Sequence, residues 1–280
     1  MKTVSFLPDD VLDFIEFAEQ LHADGSDAAL EIIVKRIQQL PLGSVESIIL
    51  AEISLLMTCP HTTQIGWDTN QLLLYVSKNF SLGISILHVS PPHLLNAVSH
   101  GVYLVIGNSN FAYSRHRTPS DCARDIFDKN VMPFHVEDKT LVPGEVLTVH
   151  AGIDIIDWSI EVPVVLLRYI SAPNEQIQWT FHKSPVRPWF VASVDPGATQ
   201  LSALCAYFAA ALDLQAVKPM GELLAHRNHQ VRWEATQSLW KLDRKMGYKA
   251  LLASLNDPHP HVRNTASRSL QKLKRGGYYG

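Results

Sequence analysis

Histidines 88, 100, 116, 135 and 150 and aspartates 154 and 157 fall in one stretch of short β-branched and aromatic runs. Two chemistries are open to such a set. Imidazoles and carboxylates hold a divalent cation when about three of them converge on one point. A carboxylate beside an imidazole also fixes its tautomer and raises its proton affinity, which makes an acid/base pair with no metal. His100, Asp157 and His116 are the catalytic candidates, and His100 is also the candidate metal ligand. Tyr103, Tyr113, His135, Trp158, Arg168 and Trp179 are candidates for holding a ligand at the barrel mouth. Packed core or a hydrogen-bonded rim is the competing reading for each of them.

Strands must position these groups, because side chains two apart on a strand share a face. Runs at 72–76, 82–89, 102–106, 110–114, 132–136, 145–149, 162–170, 176–182 and 190–194 are separated by Gly, Pro, Asn and Asp. Many short strands at roughly ten-residue intervals predict a sandwich or closed barrel. A brief helix is expected at Asp121–Phe127.

Helices flank the strands on both sides. Asp9 and Asp10 precede an apolar stripe of Val11, Leu12, Phe14, Ile15, Ala18 and Leu21. Acids in a first turn are favoured by the helix dipole. Two more helices are predicted, one through Leu30–Leu40 and one from Ser44 to near Cys59-Pro60. After a helix at Thr199–Leu212 the sequence repeats itself. Leu224–Leu242 aligns on Leu255–Leu273 without gaps, with Leu, Val-Arg, Ala, Ser-Leu and Lys-Leu identical. One helix pair cannot bury its apolar face alone, so such units stack. The second copy, "LNDPHPHVRNTASRSL", resembles short HEAT-like repeats of the PBS-lyase type.

Charge follows the same division. Residues 1–80 hold four Lys/Arg against eleven Asp/Glu, 81–195 eight against eleven, and 196–280 twelve against five. The formal net of −3 therefore hides an acidic head and a basic tail. Three units are expected: helices at 1–71, a barrel at 72–195 and repeats at 196–280, together an α+β fold. No apolar run is long enough to cross a bilayer. The N-terminus lacks a signal-peptide core, and three scattered cysteines suggest no disulfide framework, so the cytoplasm is the expected compartment.

Tyr75–Arg117 resembles the first half of a cupin of the cysteine dioxygenase type, through Pro91-Pro92-His93, Val98-Ser-His100 and Gly101-Val-Tyr103. The second half is similar at Leu141-Val-Pro-Gly-Glu-Val146 and at Leu166-Leu-Arg-Tyr169. The resemblance implies a double-stranded β-helix over roughly 72–195, with iron or another divalent metal on three histidines. Those three positions carry over to Val98, His100 and Ile155. One imidazole and two alkyl side chains leave either a rebuilt site or a barrel without metal. With Ile155 in the family's inward position, Asp157 is expected to face inward beside His100 and Asp154 to face away.

Three functions remain open on this reading. The first is a diverged cupin that binds, and transforms, a small molecule, by oxygenase-like or metal-free acid/base chemistry. The second is a sensor or scaffold whose basic repeats bind an acidic partner or a second copy through Arg232, Arg263 and Arg268, with a solvated face and Arg–Asp pairs that brace successive repeats as the competing reading of these arginines. The third, nucleic-acid binding, lacks any recognised motif beside the charge.

Overall fold

The structure is a computed structural model that describes residues 7–23, 29–59, 66–68 and 70–276. The chain divides into two compact units, Met1–Val191 and Ala192–Gly280.

The first unit opens with α1 (Asp9–Ala23), α2 (Ala29–Ile37) and α3 (Leu42–Thr58). Their apolar stripes alone would leave half of each helix's greasy face in water. Val11, Phe14, Ile15, Ile33, Ile37, Val45 and Ile48 instead share one core with Leu82, Ile84, Val102, Leu104 and Tyr169 of the sheet behind. The His22 imidazole meets the Tyr169 hydroxyl in that seam.

Twelve strands follow among the described residues: β1 (Gly66–Asp68), β2 (Gln71–Val76), β3 (Phe80–Leu87), β4 (Leu94–Leu95), β5 (Gly101–Ile106), β6 (Phe111–Arg117), β7 (Phe134–Leu141), β8 (Val146–Val149), β9 (Asp154–Ser159), β10 (Val164–Ser171), β11 (Ile177–Lys183) and β12 (Val186–Ser193). One sheet runs β1-β2-β3-β10-β5-β8. The other consists of β12-β11-β4 and β7-β6-β9, joined where Asn96 bridges Ile155. The pairings β1–β2, β2–β3, β3–β10, β10–β5, β5–β8, β11–β4, β6–β7 and β6–β9 are all antiparallel. Val105, Leu147, Leu166 and Val164 of the first sheet pack face to face with Phe111, Tyr113 and Ile156 of the second. That is a double-stranded β-helix. Gly144 and Gly152 turn with positive φ of 90° and 71°, where a side chain would be strained.

The segment after β6 is a series of turns and not the short helix expected at Asp121–Phe127. Cys122, Phe127 and Val131 lie over Ile177, Trp179 and Phe181, so burial of these side chains holds the segment without a helical ladder.

The second unit comprises α4 (Pro196–Ala211), α5 (Val217–Leu223), α6 (His229–Leu242), α7 (Arg244–Ala253) and α8 (Pro260–Arg275). Asp195, Asn228, Asp243 and His259 cap the starts of α4, α6, α7 and α8. Gly247 is required where α7 passes α6, since a Cβ there would sit 2.3 Å from Trp240 Cα.

Candidate functional site

Between the two sheets lies a cavity of about 420 Å³. Ligand pockets fall in the range of roughly 300–1,000 Å³. Its walls are mainly apolar, from Leu87, Phe111, Leu147, Val149, Ile156 and Leu166. Polar groups on the lining include Ser85 on β3, Tyr103 on β5, Arg168 on β10 and Trp158 on β9, with His93, Asn96, Ser99, Asp154 and Gln178 besides.

Strand register places the central pair. Arg168 stands opposite Tyr103 on one side and Gly83 on the other. Leu166, one step along the same face, stands opposite Ser85. The Tyr103 ring folds back over Gly101, where an added Cβ would come within 2.8 Å of its edge. Burial raises the Tyr103 phenol above its ordinary value, an effect the Arg168 charge opposes, so the hydroxyl keeps its proton and can donate. Ser85 Oγ and the Trp158 indole nitrogen are buried with no hydrogen-bond partner among the described residues. Buried donors left unmade cost about 1–3 kcal/mol each.

A second polar system closes one end of the cavity. Asp154 is fully buried and lines it. Its oxygens accept from Arg115 Nη1 at 2.6 Å, Arg117 Nε at 2.8 Å and the His150 backbone N–H at 2.9 Å. Burial alone would raise this carboxyl, but the Arg117 hydrogen bond, the His150 N–H and the two guanidinium charges hold it below the usual aspartate range. Arg115 reaches on to Glu137 at 2.8 Å and to the Thr148 carbonyl at 2.9 Å. These bonds are structural: Asp154 locks the end of β9 to β6 and to the turn after β8.

This reverses the expected facing of β9. Asp154, Ile156 and Trp158 point inward, whereas Ile155 packs with Leu94, Ile177 and Phe181 on the other side. Asp157 therefore faces away from the cavity and accepts from Lys183 Nζ at 2.6 Å. A slip of one residue flips every side chain of a strand. His100 does not meet Asp157. Its Nδ1 accepts from the Ala151 N–H at 3.3 Å and its ring lies 6.1 Å from that of His150. Burial, reinforced by the His150 charge, lowers its proton affinity.

His116 and His135 sit together on the face opposite the cavity, ring centroids 5.4 Å apart, with His135 bonded to Asp138 at 3.0 Å. Burial and the neighbouring His135 depress His116. Tyr113 donates to Glu137 at 2.9 Å, outside the cavity lining. Trp179 is turned away beneath the turn segment, its indole donating to the Arg124 carbonyl at 3.0 Å. Of the ligand-binding candidates, Tyr103, Trp158 and Arg168 line the cavity together. Ser85, Asn96 and Gln178 line it as well and carry no motif that would single them out, and His93, part of the Pro91-Pro92-His93 motif but not named as a site residue, lines it too. The one legible clue to Asp154 was Arg115-x-Arg117, two cations on one strand face.

The donor set does not fit the family's metal. Val98 and Ile155 offer alkyl groups, His100 Nδ1 already accepts a backbone N–H, and both Asp154 oxygens are engaged by arginines. Among the described residues no three His, Cys, Asp or Glu side chains are grouped to hold an ion.

In the second unit, Arg232 is nearly buried and grips Asp257 with two bonds, Nε at 2.7 Å and Nη2 at 2.6 Å. Its Nη1 also donates to the carbonyls of His226 and Arg227. Arg232 is thus a brace between successive repeats, not the exposed partner contact expected from its spacing. Arg263, 31 residues on, repeats the backbone part through the Asp257 and Pro258 carbonyls. Arg268 is exposed.

Residues 217–277 match the family model for HEAT repeats. No curated protein matches the chain. Solved structures that it resembles include the hydroquinone 1,2-dioxygenase PnpCD in complex with Cd²⁺ and 4-hydroxybenzonitrile, at 10% identity, 40% of this chain, 69% of that one and a TM-score of 0.29. Another is the DMSP lyase DddQ from Ruegeria pomeroyi, at 10% identity, 39% and 45% coverage and a TM-score of 0.25. A cupin-2 domain protein from Shewanella frigidimarina aligns at 8% identity, 48% and 95% coverage and a TM-score of 0.27. The sheet order itself, two facing six-stranded antiparallel layers, carries the fold. The chain combines a helical layer and an antiparallel double-stranded β-helix with a helical unit whose residues 217–277 match HEAT repeats.

Proposed function

We propose that the barrel binds a small organic anion, a carboxylate or its isostere, with its charged end at Arg168. One observation carries the reading: a guanidinium, a protonated phenol, a hydroxyl and an indole N–H line one mainly apolar cavity, whose lining carboxylate, Asp154, is already paired with Arg115 and Arg117. Arginine's fork suits planar two-oxygen acceptors. An apolar wall removes competing water, so each such bond is stronger than in solvent. Binding is the activity proposed; the groups that could exchange protons, His100 and Asp154, are held by a backbone N–H and by two arginines. Titration calorimetry with acetate, propionate and benzoate is the test. Arg168→Met is expected to weaken carboxylate binding at least a hundredfold, with the fold retained by circular dichroism. Equal affinity for the amide analogues, or none lost in the variant, would overturn the reading.

A second reading concerns the repeats. Arg263 holds two carbonyls as Arg232 does, yet no described carboxylate forms an ion pair with it. With exposed Arg268 on the same helix, it gives α8 two cations for an acidic protein segment. The full chain is expected to retain poly-glutamate at low salt and to lose it on Arg263→Glu/Arg268→Glu. Unchanged retention would count against this reading.

A further inference from the structure

His93 lines the cavity and its ring also belongs to a nest of rings beside it. The His93 ring centroid lies 4.5 Å from that of Trp189 on β12, and His182 on β11 stacks against the same indole at 5.2 Å and 28°. His93 and His182 are themselves 6.5 Å apart, nearly perpendicular. Trp189 is 43% exposed, and Phe190 beside it 44%, their rings 4.9 Å apart. A core would have covered an indole of this size. Nothing in the barrel uses these rings: they belong to neither inner nor outer core.

Resting on the proposal that Arg168 anchors an anion, we infer that this nest is a second subsite for an aromatic ring of the same ligand, which makes the ligand an aryl carboxylate. Two features favour a ring over an alkyl tail. Imidazole and indole present π faces and edges at several angles, the geometry that aromatic pairs prefer over simple burial. The cavity lining also carries two aromatic rings, Phe111 and Trp158. Continuity with the cavity through His93 ties the nest to the ligand and not to a separate docking partner. A stacked ring contributes about a tenfold gain in affinity.

The test compares acetate, hexanoate, benzoate and 3-phenylpropionate on the full chain and on Trp189→Ala and His93→Ala variants, by calorimetry and by quenching of indole fluorescence. An aryl acid is expected to bind about tenfold or more tightly than acetate and to exceed hexanoate. Trp189→Ala is expected to erase that advantage and leave acetate affinity unchanged. If all four acids bind alike, or hexanoate is preferred in both proteins, the subsite inference falls while the Arg168 reading stands. If no acid binds the unaltered chain, both fall. If Trp189→Ala alters only the oligomeric state in sedimentation, the rings belong to a contact between copies and the inference is overturned.

Discussion

Asp154→Asn is expected to destabilise the barrel by about 3–5 kcal/mol, the cost of breaking a buried ion pair from one side. Asparagine keeps the volume, so the loss is electrostatic. It leaves the Arg115 guanidinium, whose side chain is 8% exposed, without its buried counter-charge, and weakens the Arg117 and His150 bonds as well. Chemical denaturation of the whole chain, followed in the near ultraviolet, measures it. A loss below about 1 kcal/mol would mean that solvent reaches the cluster. The same residue sets an acid limit. Its carboxyl titrates below the usual aspartate value in the folded protein, so its stabilisation is complete above the unfolded-state pKa of roughly 3.9 and disappears as pH falls through the lower folded value. The unaltered chain should lose stability steeply below about pH 4. Asp154→Asn should flatten that limb and run parallel to the unaltered chain above pH 5.

Arg232→Met is expected to cost a similar amount, about 3–5 kcal/mol, in the repeat unit. Methionine fills much of the arginine stem's space but leaves the Asp257 carboxylate, 8% exposed, with the His259 N–H as its remaining donor. The carbonyls of His226 and Arg227 lose their donor too. Arg263→Met serves as the internal comparison, since it removes two backbone contacts and, among the described residues, no ion pair. It should cost about 1–2 kcal/mol. Hydrogen exchange of the α8 amides separates the two. Equal protection in both variants would show that the Arg232–Asp257 fork adds nothing beyond its backbone contacts.

Local pattern alone determined most of the elements and their kinds, though not the turns at 121–127 or the strand β9. The apolar stripe from Val11 to Leu21, the β-branched runs with Gly144 and Gly152 at the turns, and the 31-residue repeat all depend on spacing along the chain, which folding does not alter. Cupin-type barrel and HEAT repeats were both legible for that reason. Facing was not. Whether Asp154 or Asp157 looks inward depends on where β9 begins to pair with β6, and in this chain that pairing sets Asp154 opposite Arg117 and Ile156 opposite Arg115. Trp179 and Trp158 have the same composition and comparable flanks, yet one is roofed by Phe127 and the other lines the cavity. Arg232 reads as one cation among twelve in its unit, until the repeat stack brings Asp257 within 2.6 Å. Sequence thus decides which residues alternate together. Only the tertiary structure decides which alternate set meets the cavity, because that is fixed by pairing between strands far apart in the chain and by burial, not by neighbours.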